Sequence, residues 1–118
     1  MLFNGEEHEK FYNDLIEGFT PDPYYYSLFY LLSLTEDTRK NFHKIYNIAE
    51  RKVRPQCLRD PWQTGTTIAI TRLALNLFNG FTGLNGEFDD VRNYTADNIF
   101  CRKDLMKYFF QAIAIRFE

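Results

Sequence analysis

The sequence predicts an all-α protein: a compact single-domain bundle of five or six helices, residues 1–118, around an apolar central helix at about residues 66–79. Three observations lead there. Apolar side chains recur at three- and four-residue spacing through most of the chain, the period of one helix face. Capping residues, prolines and glycines stand where those stretches begin and end. At 118 residues, with 18% aromatic side chains, the chain can bury one sizeable core and has no room for a second.

The elements follow in order. Asn4, with Glu7 three residues on, reads as a capping box ahead of Phe11, Leu15, Ile16 and Phe19. Gly18 and "TPDP" stop that helix. Asp22 then caps a second, with Pro23 at its first position, opening "YYYSLFYLLSL", which is apolar on nearly every face. Thr35 with Glu36 and Asp37 starts a third, whose apolar positions are Phe42, Ile45, Tyr46 and Ala49. Residues 50–63 carry two prolines and read as an irregular connection. The helix at 66–79 has a broad apolar arc (Ala69, Ile70, Leu73, Ala74, Leu77, Phe78) and a narrow polar seam of Arg72, Asn76 and Asn79. Asn79-Gly80 ends it. A glycine-rich loop spans 80–94, Thr95 reads as another cap, and a last helix is expected at about 102–116.

Charge is unevenly laid out. The net −2 divides into eight acids against three bases in residues 1–40 and six bases against two acids in residues 41–72. That balance disfavours a general nucleic-acid binder but leaves a local anion-facing patch in the middle third. Cys57 and Cys101 have no partner at metal-ligand spacing, and the N-terminus has no apolar leader segment. A reduced, cytoplasmic setting is expected, and no cofactor or metal.

Candidate sites are few. The acids of "EEHE" (Glu6, Glu7, His8, Glu9) suit the positive end of a helix dipole, so this stretch is expected to be a solvated helix start. Of the tyrosine run, Tyr25 is expected to face outward, because Leu28 and Phe29 straddle its face, while Tyr26 and Tyr30 share an inner one. Arg51, Lys52, Arg54 and Arg59 could meet phosphates or an acidic partner protein. "WQTGTT" offers Trp62, Gln63 and a glycine-threonine helix start with Arg72 one turn on, although no lysine makes it a P-loop. The simpler reading is a threonine cap with Trp62 packed as a hydrophobic staple. A helix–turn–helix reading is weaker, since an irregular proline-containing loop precedes this helix. No residue set pairs a nucleophile with a base, so no catalytic residue is expected.

"EEHEKFY", "YYYSLFYLLSLTEDTRKNFHKIYN", "VRPQCL", "WQTGTTIAITRLALNLFNG" and "YTADNIFCRKDLMKYFFQAIAIRF" together resemble a family of small uncharacterised proteins from Gram-positive bacteria, their phages and conjugative elements. The family has no known activity and lends no site residue. What the resemblance implies is a non-enzymatic protein that binds a bacterial protein partner, an antiviral (CRISPR-type) defence complex among the candidates. Arg51, Lys52, Arg54, Arg59, Trp62, Gln63, Arg72 and Tyr25 are the expected partner-binding residues. The alternative is a nucleic-acid or phosphorylated-ligand module using the basic 51–72 segment, and no membrane association is expected.

Overall fold

The computed structural model describes residues 1–118. Seven α-helices form it: α1 (Glu6–Glu17), α2 (Pro23–Leu32), α3 (Glu36–Lys40), α4 (Phe42–Ile45), α5 (Gly65–Asn79), α6 (Ala96–Ile99) and α7 (Met106–Phe117). One two-stranded antiparallel hairpin, β1 (Tyr46–Asn47) and β2 (Lys52–Val53), pairs Tyr46 with Val53 and Asn47 with Lys52. Short 3-10 turns lie at Pro55–Arg59, Val91–Tyr94 and Lys103–Leu105. The all-α expectation holds, with the hairpin as a small addition.

The hub is α2. Asp22 caps it, its carboxylate accepting from the Tyr24 N–H at 2.8 Å, and Pro23 occupies the first turn, where a missing N–H costs nothing. From Ser27 to Leu34, eight consecutive residues are buried. Helices α1, α5 and α7 all pack against α2, so its apolar run needs no solvent face. Fully burying each large side chain there is worth about 1.5–3 kcal/mol. Helix α5, the one expected at 66–79, lies alongside α2 and buries eight of its 15 residues. Its start is a capping box: Thr64 accepts from the Thr67 N–H, and Thr67 Oγ1 accepts from the Thr64 N–H at 2.7 Å. Gly80 ends it at φ +75, the left-handed region that favours glycine, with its N–H on the Asn76 carbonyl.

Three expectations are corrected. Asn4 caps nothing. Gly5 is the cap of α1, with no side-chain bond, and Asn4 instead donates from Nδ2 to the Leu34 carbonyl and accepts from the Tyr108 hydroxyl. The expected third helix breaks at Asn41 into α3 and α4 and then gives way to the hairpin, leaving Ile48 54% exposed. Asn41 Nδ2 bonds the Asp37 carbonyl, the local competition by which asparagine ends helices. The "EEHE" start is not wholly solvated, because His8 is fully buried.

The His8 ring has its tautomer set by its partners. Nδ1 accepts the Asn4 N–H at 2.9 Å, so Nε2 carries the proton and donates to the Tyr30 carbonyl at 2.9 Å. Phe3, Tyr30 and Tyr108 enclose it. A second proton would have to break the Asn4 bond inside an apolar shell. Burial therefore depresses the His8 pKa below its ordinary 6.5, the Tyr30 carbonyl opposing this and Arg39 adding to it.

Two predictions follow from these groups. Well above pH 6.5 His8 is neutral in both the folded and the unfolded chain and does not make stability depend on pH. Below it the unfolded chain binds a proton that the folded one refuses. Stability should therefore fall by up to about 1.4 kcal/mol per pH unit more in the wild type than in His8→Gln, measured by urea unfolding between about pH 7 and pH 5. Parallel profiles would contradict a buried neutral His8. The second concerns Tyr46, whose hydroxyl is buried without a hydrogen-bond partner. Tyr46→Phe should leave stability unchanged or raise it by up to about 1 kcal/mol, whereas Tyr30→Phe, which loses a 2.7 Å bond to the Leu2 carbonyl, should cost about 1 kcal/mol.

Candidate functional site

The most developed concavity is a cleft of about 800 Å³ between the Pro55–Arg59 turn, the first half of α5 and the loop that follows Gly80. Its floor is apolar: Leu58, Ile68 and Phe88 reach it from a small satellite core centred on Leu58, Leu75 and Phe81. Its polar lining includes Arg59, Asp89 and Asp90, the two carboxylates being paired with Arg72 and Arg92 respectively. Val91 stands at the lip, 59% exposed.

One ion pair builds the far wall. Arg72, in the polar seam of α5, reaches Asp89 with two bonds, Nε at 2.7 Å and Nη2 at 3.2 Å. Asn93 Nδ2 and the Tyr94 hydroxyl donate to the same carboxylate at 2.8 and 2.9 Å. Burial alone would raise the Asp89 pKa, but these three donors outweigh it and hold the carboxyl below its ordinary range. Tyr94 is pushed above its ordinary value by burial and by that bond. The pair is only 23% and 10% exposed, so both charges depend on each other.

The loop between α5 and Asp89 turns sharply to make this reach. Four successive residues, Gly83, Leu84, Asn85 and Gly86, have φ between +53 and +99. A Cβ on Gly83 would collide with the Asp89 carbonyl oxygen, so that contact requires glycine. Leu84 carries the strain of a left-handed conformation that bulky side chains disfavour, and it does so on the surface. Arg59 closes the near side by donating from Nη2 to the Glu87 carbonyl at 2.6 Å.

Of the expected partner-binding residues, the structure brings Arg59 and Arg72 to this cleft. Arg72 is not a free cation there, because Asp89 neutralises it. Gln63 is spent internally: Nε2 donates to the Cys57 carbonyl and to Thr71, and Oε1 accepts from Thr67 at 2.7 Å. Trp62 is half-buried, its ring against the main core and its indole N–H on Asp60. It lies two residues before the Thr64 cap, and the cap itself is made by the threonines. Arg51, Lys52 and Arg54 lie on or beside the hairpin, exposed, with Arg51 at φ +54 and its guanidinium 4.8 Å above Phe19. Tyr25 is not outward. It sits half-buried among Phe19, Phe29, Tyr46 and Phe78, while Tyr24 is the exposed tyrosine.

Sequence reasoning missed Asp89, Phe88 and Val91. A signal existed: an arginine in the seam of an otherwise apolar helix needs a carboxylate, and "FDD" follows on a short tether. Both cysteines are free, and burial pushes the Cys57 thiol up to about 12. No group of three or more His, Cys, Asp or Glu side chains stands at metal-binding separation, and no helix is long and apolar enough to cross a membrane.

Asp89→Asn should destabilise the protein by about 3 kcal/mol, the cost of leaving a mostly buried guanidinium without its counter-charge. Amide exchange across residues 83–94 should accelerate in the same variant. Denaturant unfolding with hydrogen exchange reads both, and a stability within about 0.5 kcal/mol of wild type would contradict this account of the loop.

Comparison with known proteins places the chain in one family. Residues 1–118 match the family of unknown function DUF6075, and the chain belongs to it. No curated protein and no solved structure matches.

Proposed function

We propose that this DUF6075 protein is a non-enzymatic, cytoplasmic binding protein of phage or mobile-element origin that seats part of a bacterial protein partner in the cleft. The observation that carries the reading is the union of an apolar floor (Leu58, Ile68, Phe88) with a polar rim in which Arg59 is the one charge without a carboxylate partner, Asp89 being paired with Arg72 and Asp90 with Arg92. Such a trough suits an apolar side chain of the partner in the floor, with flanking polar groups meeting Arg59 and the Asp90–Arg92 pair. Val91, apolar and exposed at the lip, extends the contact beyond what a small ligand would use. The two carboxylates of the lining are already held by Arg72 and Arg92, and no His, Cys or Lys stands beside Thr82 to activate it, which supports binding over catalysis. A host antiviral complex of CRISPR type is the first partner to try.

A second reading keeps one specific observation. Lys52 and Arg54 are exposed and form no ion pair, so the hairpin could meet a nucleic acid or phosphorylated ligand, with Arg51 and Arg59 nearby in sequence. Affinity for such a ligand would fall steeply with salt.

The test is affinity capture from a bacterial host carrying defence systems, using the wild type, Val91→Asp and Lys52→Glu/Arg54→Glu. The cleft reading expects a reproducible protein partner that Val91→Asp weakens at least tenfold without loss of thermal stability, and that the hairpin variant retains. Loss in the hairpin variant alone, or salt-sensitive nucleic acid as the captured species, favours the second reading. No reproducible partner would count against both.

A further inference from the structure

We propose that α7 carries a second interaction surface, a self-complementary seam that pairs two copies of this chain antiparallel. Tyr108, Phe109 and Ala112 turn inward from this helix and are buried. Another face carries an apolar row at Met106, Phe110, Ile113 and Phe117, separated by four, three and four positions, with Ile113 also touching the main core and Ala114 and Ile115 lying off the row. That spacing is the heptad seam by which helices pair with one another, narrower than the apolar arc of a helix lying on a core. Phe110 is 58% exposed and Phe117 66% exposed, while Met106 and Ile113 are half-buried beside them.

The surface extends past the helix. The Phe100 ring lies 6.4 Å from Phe110. At the other end Arg116 stacks 3.6 Å over the exposed Tyr24 ring and 4.6 Å from Phe117, its Nε held by the Leu77 carbonyl. The aromatic rims are thus positioned before any partner arrives, which lowers the ordering cost of association. None of these residues lines the cleft.

The occupant follows from the pattern. A spacing of four, three and four reads the same in both directions. Antiparallel pairing about a two-fold axis therefore sets Met106 against Phe117 of the second copy and Phe110 against Ile113, with every seam residue meeting another. Charge points to the same register. Lys103 and Lys107 stand at one end of this face and Glu118 at the other, none of them in an ion pair within the chain. Lys107 and Glu118 share one flank of the helix, so antiparallel pairing brings Glu118 of each copy level with the Lys103–Lys107 turn of the other. Parallel pairing would set Lys107 against Lys107. The exposed parts of Phe110, Phe117 and Tyr24 together amount to about 700 Å² over two copies, taking about 200 Å² for a whole aromatic side chain. With the exposed parts of Met106, Ile113 and Phe100 the total approaches the roughly 1,000 Å² of the smallest specific interfaces.

Sedimentation equilibrium on the full chain tests this, over a concentration series reaching several hundred micromolar. The expected result is a reversible shift from the 14.1 kDa monomer toward twice that mass. Phe110→Glu should abolish the shift while leaving the circular dichroism spectrum and thermal midpoint unchanged. Lys107→Glu should weaken dimerisation several-fold, and Lys107→Glu with Glu118→Lys should restore it. A monomer at every concentration would overturn the proposal, as would a dimer indifferent to Phe110→Glu or one that the charge reversal leaves untouched. A monomeric wild type whose capture of another protein depends on Phe110 would assign the face to a different partner.

Discussion

Everything in this fold answers to one constraint, the complete burial of the run from Ser27 to Leu34 that begins in α2. A ten-residue helix apolar on nearly every side cannot rest on one neighbour, and α1, α5 and α7 all pack against it. The covering is polar where it must be. Asn4 reaches the Leu34 carbonyl, His8 donates to the Tyr30 carbonyl, and the Tyr30 hydroxyl returns to the Leu2 carbonyl. Groups at residues 2–8 thus close the bonding needs of the α2 backbone end and of an aromatic side chain on it. Apolar burial supplies the energy, and these bonds select the one arrangement in which no buried polar group on this side is left unpaired.

The cleft depends on α2 at one remove. Helix α5 is fixed by its contact with α2 and by its threonine capping box, so Arg72 projects from a rigid support. The loop after Gly80 has no core of comparable size beneath it. It is tied down by the Arg72–Asp89 pair and by the close approach of Gly83 to Asp89, at the cost of left-handed backbone at Leu84 and Asn85. A cleft held in this way has one wall fixed by helix packing and the other by left-handed backbone and a single buried ion pair.

Local signals were the legible ones. Asp22-Pro23, Thr35, the Thr64–Thr67 cap and Asn79-Gly80 each act through bonds within five residues, and each stands where the sequence predicts. The failures are long-range. Asn4 has the residue type and spacing of a cap, but Leu34 and Tyr108 compete for its side chain from 30 and 104 residues away. His8 lies among three glutamates, and only the packing of Phe3, Tyr30 and Tyr108 makes it interior. Tyr25 turns inward because Phe19, from the connection after α1, and Phe78, from α5, form its niche. The candidate site was half visible for the same reason: Arg59 and Arg72 are read directly, while Asp89 joins them only through the shape of a glycine-rich loop.

Native-state hydrogen exchange measures the central claim most directly. If α2 is the element on which the others depend, its amides from Leu28 to Leu32 should exchange only through global unfolding. Their opening free energy should then equal the global stability, with α1, the hairpin and the 80–94 loop opening at lower values. Amides of α2 that open more easily than those of α5 or α7 would contradict the account and move the organising centre of the fold elsewhere.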